Sequence, residues 1–302
     1  MKGRIINLNG GVYKVILDDG NTISVKARGK LRYSKQYIQN QKSDSKKMAP
    51  QMVKLSPKVG DIVTIENDLI SSFETRKNSL IRPDIANVDQ ILLVFAAKNP
   101  DFSFLLLDLF IINIIKNKIN PVIVVTKKDK LNELELNELK NKLSYYNKLG
   151  YDTYFVNSLE SDGTELVDKI LDNKITILAG QTGAGKSSLI NALIPGFNLE
   201  TQEISEALGR GKHTTREISL YPYKNGYIGD TPGFSKLDLL GIELKELKDL
   251  FVEFKDCHCK FNDCMHQEKS LGCQVIENVN NGNILKSRYD NYIKLYNELK
   301  NK

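Results

Sequence analysis

The sequence predicts an α/β protein that is divided into three consecutive parts. Residues 1–70 hold short apolar stretches between turn residues, a pattern typical of a small β-barrel. Residues 71–240 alternate strand and helix patterns, which predicts a parallel sheet covered by helices. Residues 241–302 carry helix patterns that are interrupted by a cluster of cysteine and histidine. We expect these three segments to be separate domains.

The composition is that of a globular protein with a mild basic excess. The chain has 302 residues, of which 41% are hydrophobic and 26% are charged. Its net charge of +6 suits a polyanionic partner without identifying one. The first residues lack the apolar core of a signal peptide, and the most apolar stretches are too short to span a bilayer. We therefore expect a cytoplasmic protein with reduced thiols and no membrane association.

The first segment has the pattern of an OB-type barrel. Its apolar positions lie around the turn signals Gly10-Gly11 and Asp18-Asp19-Gly20, and they are Val12, Val15, Leu17, Ile23 and Val25. A polar connection rich in lysine and arginine follows from Lys26 to Lys47, and Val59–Val63 predicts a closing strand. Such barrels often bind nucleic acid, so we expect contact with RNA. A structural barrel with a solvated loop is the alternative.

The second segment is predicted to alternate strands and helices along its length. In chain order the predicted elements are the strand Gln90–Ala96, the helix Phe104–Lys116, the strand Pro121–Val125, the helix Glu133–Leu149, the strand Tyr154–Val156, the helix Glu165–Leu171, the strand Ile175–Ala179 and the helix Ser187–Leu193. The third segment ends in a predicted helix, Ile284–Leu299.

A phosphate-binding loop lies between the last strand and the last helix of the second segment. The pattern G-x-x-x-x-G-K-[ST] is matched by Gly180, Gln181, Thr182, Gly183, Ala184, Gly185, Lys186 and Ser187, with Ser188 next. Glycines let backbone N–H groups turn towards phosphate oxygens, and the helix N-terminus adds partial positive charge. We expect Lys186 to reach the β- and γ-phosphates and Ser187 to ligate Mg²⁺. The flanking strand and helix disfavour a plain glycine-rich turn.

A base-reading motif comes earlier in the chain than this loop. The residues Thr126-Lys127-Lys128-Asp129 fit the [NT]-K-x-D pattern of guanine-nucleotide proteins. The Asp129 carboxylate can accept from N1–H and the exocyclic amine of guanine, and adenine offers neither. We expect Lys127 to lie along the base plane and Asn157-Ser158 to close over the base. An ordinary polar loop is the alternative.

Two further segments are predicted to complete the nucleotide site. Asp230-Thr231-Pro232-Gly233 fits D-x-x-G, in which Asp230 is expected to hold Mg²⁺ through water and the Gly233 amide to sense the γ-phosphate. The glycine-rich, basic stretch Gly209–Arg216 lies between the phosphate loop and this motif. We predict that it is the switch region, with Thr215 or Thr214 as the γ-phosphate-dependent ligand of Mg²⁺.

The predicted switch also holds the candidate for activating water. Many GTPases carry a glutamine after the last glycine of D-x-x-G, but Phe234 stands there in this chain. His213 is the only histidine outside the cysteine cluster, and it is our candidate for orienting or activating the attacking water. A contact between His213 and RNA phosphate, or a cap on the loop, is an equal alternative.

The cysteine cluster predicts a structural zinc site. All four cysteines and two of the three histidines lie between Cys257 and Cys273. A disulfide framework would spread its cysteines through the chain, so clustering favours a metal. The best tetrahedral set is Cys259, Cys264, His266 and Cys273, which leaves Cys257 and His258 as spares. With four protein ligands no position is left for a catalytic water.

The order of the two nucleotide motifs is the reverse of that in an ordinary GTPase. We therefore predict a circularly permuted P-loop GTPase domain between an N-terminal OB-type β-barrel and a C-terminal helical zinc-binding domain. Together these residues resemble the circularly permuted, ribosome small-subunit-dependent GTPases of the RsgA (YjeQ) family. The resemblance runs nearly end to end and includes Ala86–Gln90, Gly209–Thr215 and Asp230–Phe234. Two departures are Thr182, where the family usually has serine, and a longer segment without proline from His266 to Cys273.

The resemblance implies a GTP hydrolase, forming GDP and phosphate, whose weak turnover rises on the 30S ribosomal subunit. It implies a role late in 30S maturation, contact of the barrel and the zinc domain with 16S rRNA, and a catalytic role for His213. We also expect a monomer. The competing hypothesis is a non-catalytic RNA-binding module that uses bound GDP or GTP as a conformational signal. An ATP-using P-loop enzyme conflicts with Asp129.

Overall fold

The computed structural model describes residues 1–32, 34–39, 48–53, 56–81, 83–194, 218–230, 239 and 241–301. The predicted switch stretch with His213, Thr214 and Thr215 lies outside the described residues, as do Gly233 and Phe234.

Five strands at the N-terminus close into a barrel. The strands of this part are β1 (Lys2–Asn9), β2 (Val12–Leu17), β3 (Thr22–Ala27), β4 (Ser34–Gln39), β5 (Met48–Val53), β6 (Ile62–Glu66) and β7 (Leu69–Phe73). The pairing runs β1-β2-β3-β7-β6 and returns from β6 to β1. Ile5, Val15 and Ile70 are fully buried between these strands. The closed barrel confirms the predicted fold of this segment.

Two strands that were not predicted, β4 within the basic connection and β5 directly after it, pair with each other. β4 and β5 form a separate two-stranded antiparallel sheet, with Ser34 opposite Val53 and Gln39 opposite Met48. Backbone hydrogen bonds hold such a ribbon, so it does not require the clear apolar alternation by which strands are found in a sequence.

The central part contains each of the predicted strands and helices, with bounds that differ by a few residues. Its elements are β8 (Gln90–Ala96), α1 (Phe104–Lys116), β9 (Asn120–Thr126), α2 (Glu133–Lys148), β10 (Thr153–Phe155), α3 (Thr164–Lys169), β11 (Ile175–Ala179), α4 (Lys186–Leu193), β12 (Ser219–Tyr223) and β13 (Gly226–Asp230). Helix α2 begins with a capping box between Asn132 and Glu135, which satisfies backbone donors at its first turn. Strand β12 was not predicted.

The central sheet has the strand order β10-β9-β8-β11-β13-β12. Its strands pair in parallel except for the antiparallel hairpin β12–β13. Every residue of β8 and β11 is buried, as expected for parallel strands that are covered on both faces. The loops that follow the parallel strands therefore lie together at one edge of the sheet, where ligands bind in open α/β sheets.

The barrel and the central sheet are continuous. Strand β12 pairs with β1 of the barrel, with Asn7 opposite Ser219, so that one eleven-stranded sheet runs through both parts. Ile6, Ile218 and Leu220 are buried in one apolar cluster at this junction. The predicted boundary at residue 70 lies just before the end of the last barrel strand at Phe73.

The C-terminal part packs on the central part through helix α1. It contains short 3-10 turns at Leu247–Leu250 and Val252–Phe254 and the helices α5 (Gln274–Asn280) and α6 (Lys286–Lys300). Ile112 of α1 belongs to the same buried cluster as Phe251 and Tyr292. In the part of the chain that the structure describes, no helix has the length and apolar character needed to cross a membrane.

Candidate nucleotide and metal sites

The predicted nucleotide motifs meet at the edge of the sheet where the parallel strands end. Thr126-Lys127-Lys128-Asp129 begins with the last residue of β9, Asn157-Ser158 follows β10, and Gly180–Lys186 joins β11 to α4. Asp230 is the last residue of β13. Strand order thus brings together segments that are far apart in the chain.

The phosphate loop fits against β8 because it begins with a glycine. Gly180 has a φ of +140°, and a Cβ built there would lie 2.0 Å from the carbonyl oxygen of Val94. No residue with a side chain fits this approach. Gly183 and Gly185 also have positive φ values of 77° and 90°. The loop therefore takes the curved path that turns backbone N–H groups towards a phosphate.

Lys186 starts helix α4 and folds back over the phosphate loop. Its Nζ atom donates to the carbonyl oxygens of Gly180 and Gln181, each at 3.0 Å. Ser187 and Ser188 are exposed in the first turn of α4, where unpaired N–H groups and the helix dipole favour an anion. This arrangement has the charge and the donors that a phosphate group requires.

The base-reading loop is fastened directly to the phosphate loop. The buried hydroxyl of Thr126 donates to the Ala184 carbonyl at 2.5 Å. Lys127, with a φ of +55°, donates from Nζ to the Gly183 carbonyl at 2.7 Å and also to the Asn99 carbonyl. That Lys127 lies along the base plane stays a prediction, and its ammonium contacts the phosphate loop. These bonds join residues 56 and 58 positions apart in the chain.

Asp129 presents an exposed carboxylate at this edge of the sheet. It makes no hydrogen bond or ion pair with the described residues, so its oxygens can accept from a ligand. Lys128 forms an ion pair with Asp162, with 2.6 Å between Nζ and Oδ2. This pair ties the base-reading loop to the loop after β10.

Asn157 and Ser158 differ in what they can offer to a base. Asn157 is 5% exposed, and its Nδ2 donates to Glu160 Oε2 at 3.0 Å, while its Oδ1 accepts from the Leu159 amide. Its amide is therefore engaged within its own loop. The Ser158 hydroxyl is buried and has no hydrogen-bond partner among the described residues.

Asp230 lies beside the phosphate loop along the sheet. Its backbone is in register with Leu178 of β11 on one side and with Ser219 of β12 on the other. The side chain of Asp230 and the predicted contacts of Gly233, Thr215 and His213 lie outside what the structure describes.

The four predicted metal ligands converge in the C-terminal part. The ligand atoms of Cys259, Cys264, His266 and Cys273 all lie within 4.8 Å of one another. His266 Nδ1 is 3.5 Å from the Sγ atoms of Cys259 and Cys273, and these two Sγ atoms are 3.8 Å apart. Ligands about 2.3 Å from a tetrahedral ion are separated by distances of this size. The donor set therefore fits a metal ion.

The surroundings of the cluster explain which residues belong to it. The Sγ atom of Cys257 instead accepts from Asn278 Nδ2 at 3.3 Å. Burial lowers the pKa of His266 to about 4, so its imidazole is neutral and keeps a lone pair. Burial also raises the pKa of Cys273 to about 12, which disfavours its thiolate form. A bound cation would stabilise the thiolate, the form in which cysteine ligates a metal. Tyr289 holds the ligand loop by donating to the His266 carbonyl.

A phosphate loop and a guanine-reading loop at one sheet edge, in reversed chain order, define a circularly permuted P-loop GTPase. The sequence profile of the family described as RsgA GTPase matches residues 73–240. The chain belongs to the RsgA GTPase family, whose members hydrolyse GTP.

Relatives and solved structures match the whole chain as well. The small ribosomal subunit biogenesis GTPase RsgA of Onion yellows phytoplasma (strain OY-M) is 42% identical over 308 residues, covering 99% of this chain and 98% of the relative. The protein of the same name from Halalkalibacterium halodurans is 39% identical over 306 residues, with 99% and 97% covered.

Two crystal structures share this architecture. YjeQ from Thermotoga maritima superposes with a TM-score of 0.82 at 34% identity, covering 100% of this chain and 99% of that protein. YloQ, described as a circularly permuted GTPase, superposes with a TM-score of 0.76 at 31% identity, covering 99% and 95%. These matches confirm the predicted fold class and the predicted GTPase.

Proposed function

We propose that this GTPase acts late in maturation of the 30S ribosomal subunit, in the cytoplasm and as a monomer. The 30S subunit stimulates hydrolysis of GTP to GDP and phosphate, and the barrel and the C-terminal part contact 16S rRNA. The proposal rests mainly on sequence similarity to proteins named small ribosomal subunit biogenesis GTPases. This similarity covers 99% of the chain, including both flanking domains. The net charge of +6 suits a ribosomal RNA partner.

The guanine base is selected at the end of β9. Asp129 accepts from the two N–H groups that guanine presents and adenine lacks, and its carboxylate, which has no partner among the described residues, supports this role. The Ser158 hydroxyl, which follows β10 and has no hydrogen-bond partner among the described residues, supplies a further polar group for the base. Lys127 and Thr126 hold the phosphate loop in a fixed position relative to the base.

The phosphates bind in the loop between β11 and α4. The backbone N–H groups of Gly180–Lys186 and the Lys186 ammonium neutralise the phosphate oxygens. Ser187, Thr215 and Asp230 would hold Mg²⁺, and the Gly233 amide would sense the γ-phosphate. When bound, the ion would offset negative charge on the phosphates during hydrolysis.

The C-terminal ion is zinc. Cys259, Cys264, His266 and Cys273 supply three soft sulfur ligands and one nitrogen, the combination that structural zinc prefers. The ion fixes the two ligand loops and so shapes the surface that the C-terminal part presents to the ribosome.

Hydrolysis is slow without a partner because the chain lacks a glutamine directly after Gly233. Phe234 cannot orient water, so His213 performs this task when the 30S subunit orders the switch. GTP turnover should therefore rise at least about tenfold with 30S subunits and stay unchanged with 50S subunits. The Lys186→Ala variant controls for contaminating hydrolases, because it loses productive phosphate binding.

Co-sedimentation supplies a second, independent measurement. The chain should sediment with 30S subunits more strongly with a non-hydrolysable GTP analogue than with GDP, because coupling between two binding sites is reciprocal. Stimulation by 50S subunits alone, or equal sedimentation in both nucleotide states, would overturn the proposal.

A further inference from the structure

A row of paired residues crosses the sheet from the barrel to the phosphate loop. Asn7 of β1 is in register with Ser219 of β12, and Ser219 is in register with Asp230 of β13. Asp230 is in turn in register with Leu178 of β11, just before the phosphate loop begins at Gly180. The barrel is therefore connected to the proposed magnesium-binding residue through a single residue of β12.

Side chains of the barrel contact both strands of the β12–β13 hairpin. Asn7 Nδ2 donates to Ser219 Oγ at 2.9 Å. The Arg4 guanidinium lies 5.5 Å from the ring centroid of Tyr227 in β13, and it also donates to the Gly60 carbonyl within the barrel at 2.7 Å. The hairpin is thus held at two separate points by one barrel strand.

A bulge in β1 directs the Asn7 side chain towards Ser219. The register between β1 and β2 shifts between Ile5 and Asn7, so β1 carries one extra residue there. A bulge bends its strand and re-aims the side chain that follows it. The shift falls immediately before Asn7, the residue that pairs with β12.

Strand β13 has little free space around Gly229. A Cβ on Gly229, the neighbour of Asp230, would lie 2.9 Å from Ile177 Cδ1 and 3.1 Å from the Ser219 carbonyl oxygen. Strand β13 is therefore closely packed between β11 and β12. Because packed interiors transmit a displacement rather than absorb it, movement of β12 also moves Asp230.

We propose that Asn7 and Ser219 are positioning residues that couple the barrel to Asp230. The identity of the partner that engages the barrel rests on the proposed function, whereas the coupling is a property of this chain alone. Engagement of the barrel shifts β1 against β12 and brings Asp230 into the position that hydrolysis requires. Small displacements of a group at a reacting centre change the rate far more than they change binding.

The first test separates stimulated from unstimulated hydrolysis. Asn7→Ala and Ser219→Ala should each lower 30S-stimulated kcat about 5–10-fold, as expected for a small misplacement at the reacting centre. The KM for GTP, the unstimulated kcat and co-sedimentation with 30S subunits should stay within about twofold of wild type. Ser24→Ala is the matched control, because Ser24 is exposed on β3, which is separated from β12 by the strands β1 and β2.

The test compares the loss of stimulated and of unstimulated kcat in the two single variants and in the double variant. The double variant should lose no more stimulation than either single variant, since both remove the same contact. An equal fall of unstimulated and stimulated kcat would indicate a general structural role and overturn the proposal. Unchanged stimulation in both single variants would overturn it as well.

The second test needs no ribosome. Because coupling is reciprocal, a GTP analogue and GDP should give amide exchange rates that differ at least about threefold in residues 2–9 of the wild type. The difference should disappear in Asn7→Ala and persist in Ser24→Ala. Equal exchange in the wild type would overturn the coupling even if 30S subunits stimulate hydrolysis. Absent stimulation together with a nucleotide-dependent exchange would instead overturn the proposed partner and leave the coupling intact.

Discussion

Arg288 of helix α6 donates a hydrogen bond to Asp108 of helix α1, and both side chains are completely excluded from solvent. This pair fastens the C-terminal part to the nucleotide-binding part. Asp108 also accepts from Tyr146 of α2 at 2.8 Å and from Asn291 at 2.7 Å. Burial raises the pKa of the Asp108 carboxyl, and the Arg288 guanidinium opposes this shift. The hydrogen bonds from Arg288, Tyr146 and Asn291 stabilise the ionised form of the Asp108 carboxyl despite its burial.

The first prediction concerns this ion pair. Arg288→Ala leaves Asp108 and Glu253, which also accepts from Arg288, buried without a countercharge. Such a loss destabilises by about 3–5 kcal/mol. Amide exchange in α6 should accordingly become faster by roughly 10²–10⁴-fold, because opening of this helix costs less.

The control for this prediction lies on the same helix. Lys286→Ala removes an exposed ion pair with Asp290, and such pairs contribute little. Exchange in α6 should therefore stay near that of wild type. Similar exchange in Arg288→Ala and Lys286→Ala would show that the buried pair does not hold the C-terminal part.

The nucleotide motifs were predictable from the sequence because their chemistry requires fixed residue types at fixed spacing. Only glycine fits at Gly180, and the proposed reading of guanine at Asp129 requires a carboxylate. Arg288 carried no such signal, since a charged residue on a helix is ordinarily solvated. Its burial depends on Asp108, which is 180 positions away. Contacts of this range follow from packing, which a local pattern does not encode.

The short strand β12 was not predicted from the sequence, for a related reason. It has five residues, including Pro222, and proline normally argues against a strand. Its place in the sheet is fixed by partners on both sides, Asn7 of β1 and Asp230 of β13, rather than by its own alternation. The pairing of β12 with β1, which joins the barrel to the central sheet, therefore could not be predicted from the sequence.

The second prediction concerns base selection. Asp129→Asn should weaken GDP binding by roughly 2–4 kcal/mol, because charge-assisted hydrogen bonds to guanine are lost. Binding of xanthine nucleotides should improve, since the xanthine carbonyl can accept from the new amide. Titration calorimetry with GDP and xanthosine diphosphate measures both effects. The control Asp162→Asn, which breaks the Lys128 pair, should leave this preference unchanged. Equal binding of ATP and GTP by the wild type would contradict the assignment of the loop.

The third prediction concerns the metal ion. Purified protein should contain about one zinc per chain. Cys264→Ser should lose the metal and unfold the C-terminal part, because metal-binding energy is folding energy in such sites. Cys257→Ser is the matched control and should keep the metal, since its Sγ atom contacts Asn278 instead. Elemental analysis combined with limited proteolysis checks both variants. A metal-free wild type with an intact C-terminal part would refute the prediction.

The fourth prediction concerns His213, which lies outside the described residues. If it orients water, His213→Ala should leave GDP affinity nearly unchanged and slow 30S-stimulated hydrolysis by about 10²–10⁴-fold. Single-turnover hydrolysis of bound GTP measures the chemical step directly. Hydrolysis within a factor of about three of wild type would assign His213 to a contact with RNA phosphate or to a cap on the loop.

The last prediction distinguishes two roles for Lys127. Its ammonium donates to carbonyls of Gly183 and Asn99, so Lys127→Met should loosen the phosphate loop and weaken GDP binding by about 1.5–3 kcal/mol. Because these bonds hold the phosphate loop, binding of inosine diphosphate, which lacks the exocyclic amine, should weaken equally. Lys130→Met is the control, since Lys130 is exposed in the same turn and should leave both affinities unchanged. A changed ratio of GDP to inosine diphosphate affinity in Lys127→Met would show that Lys127 acts on the base.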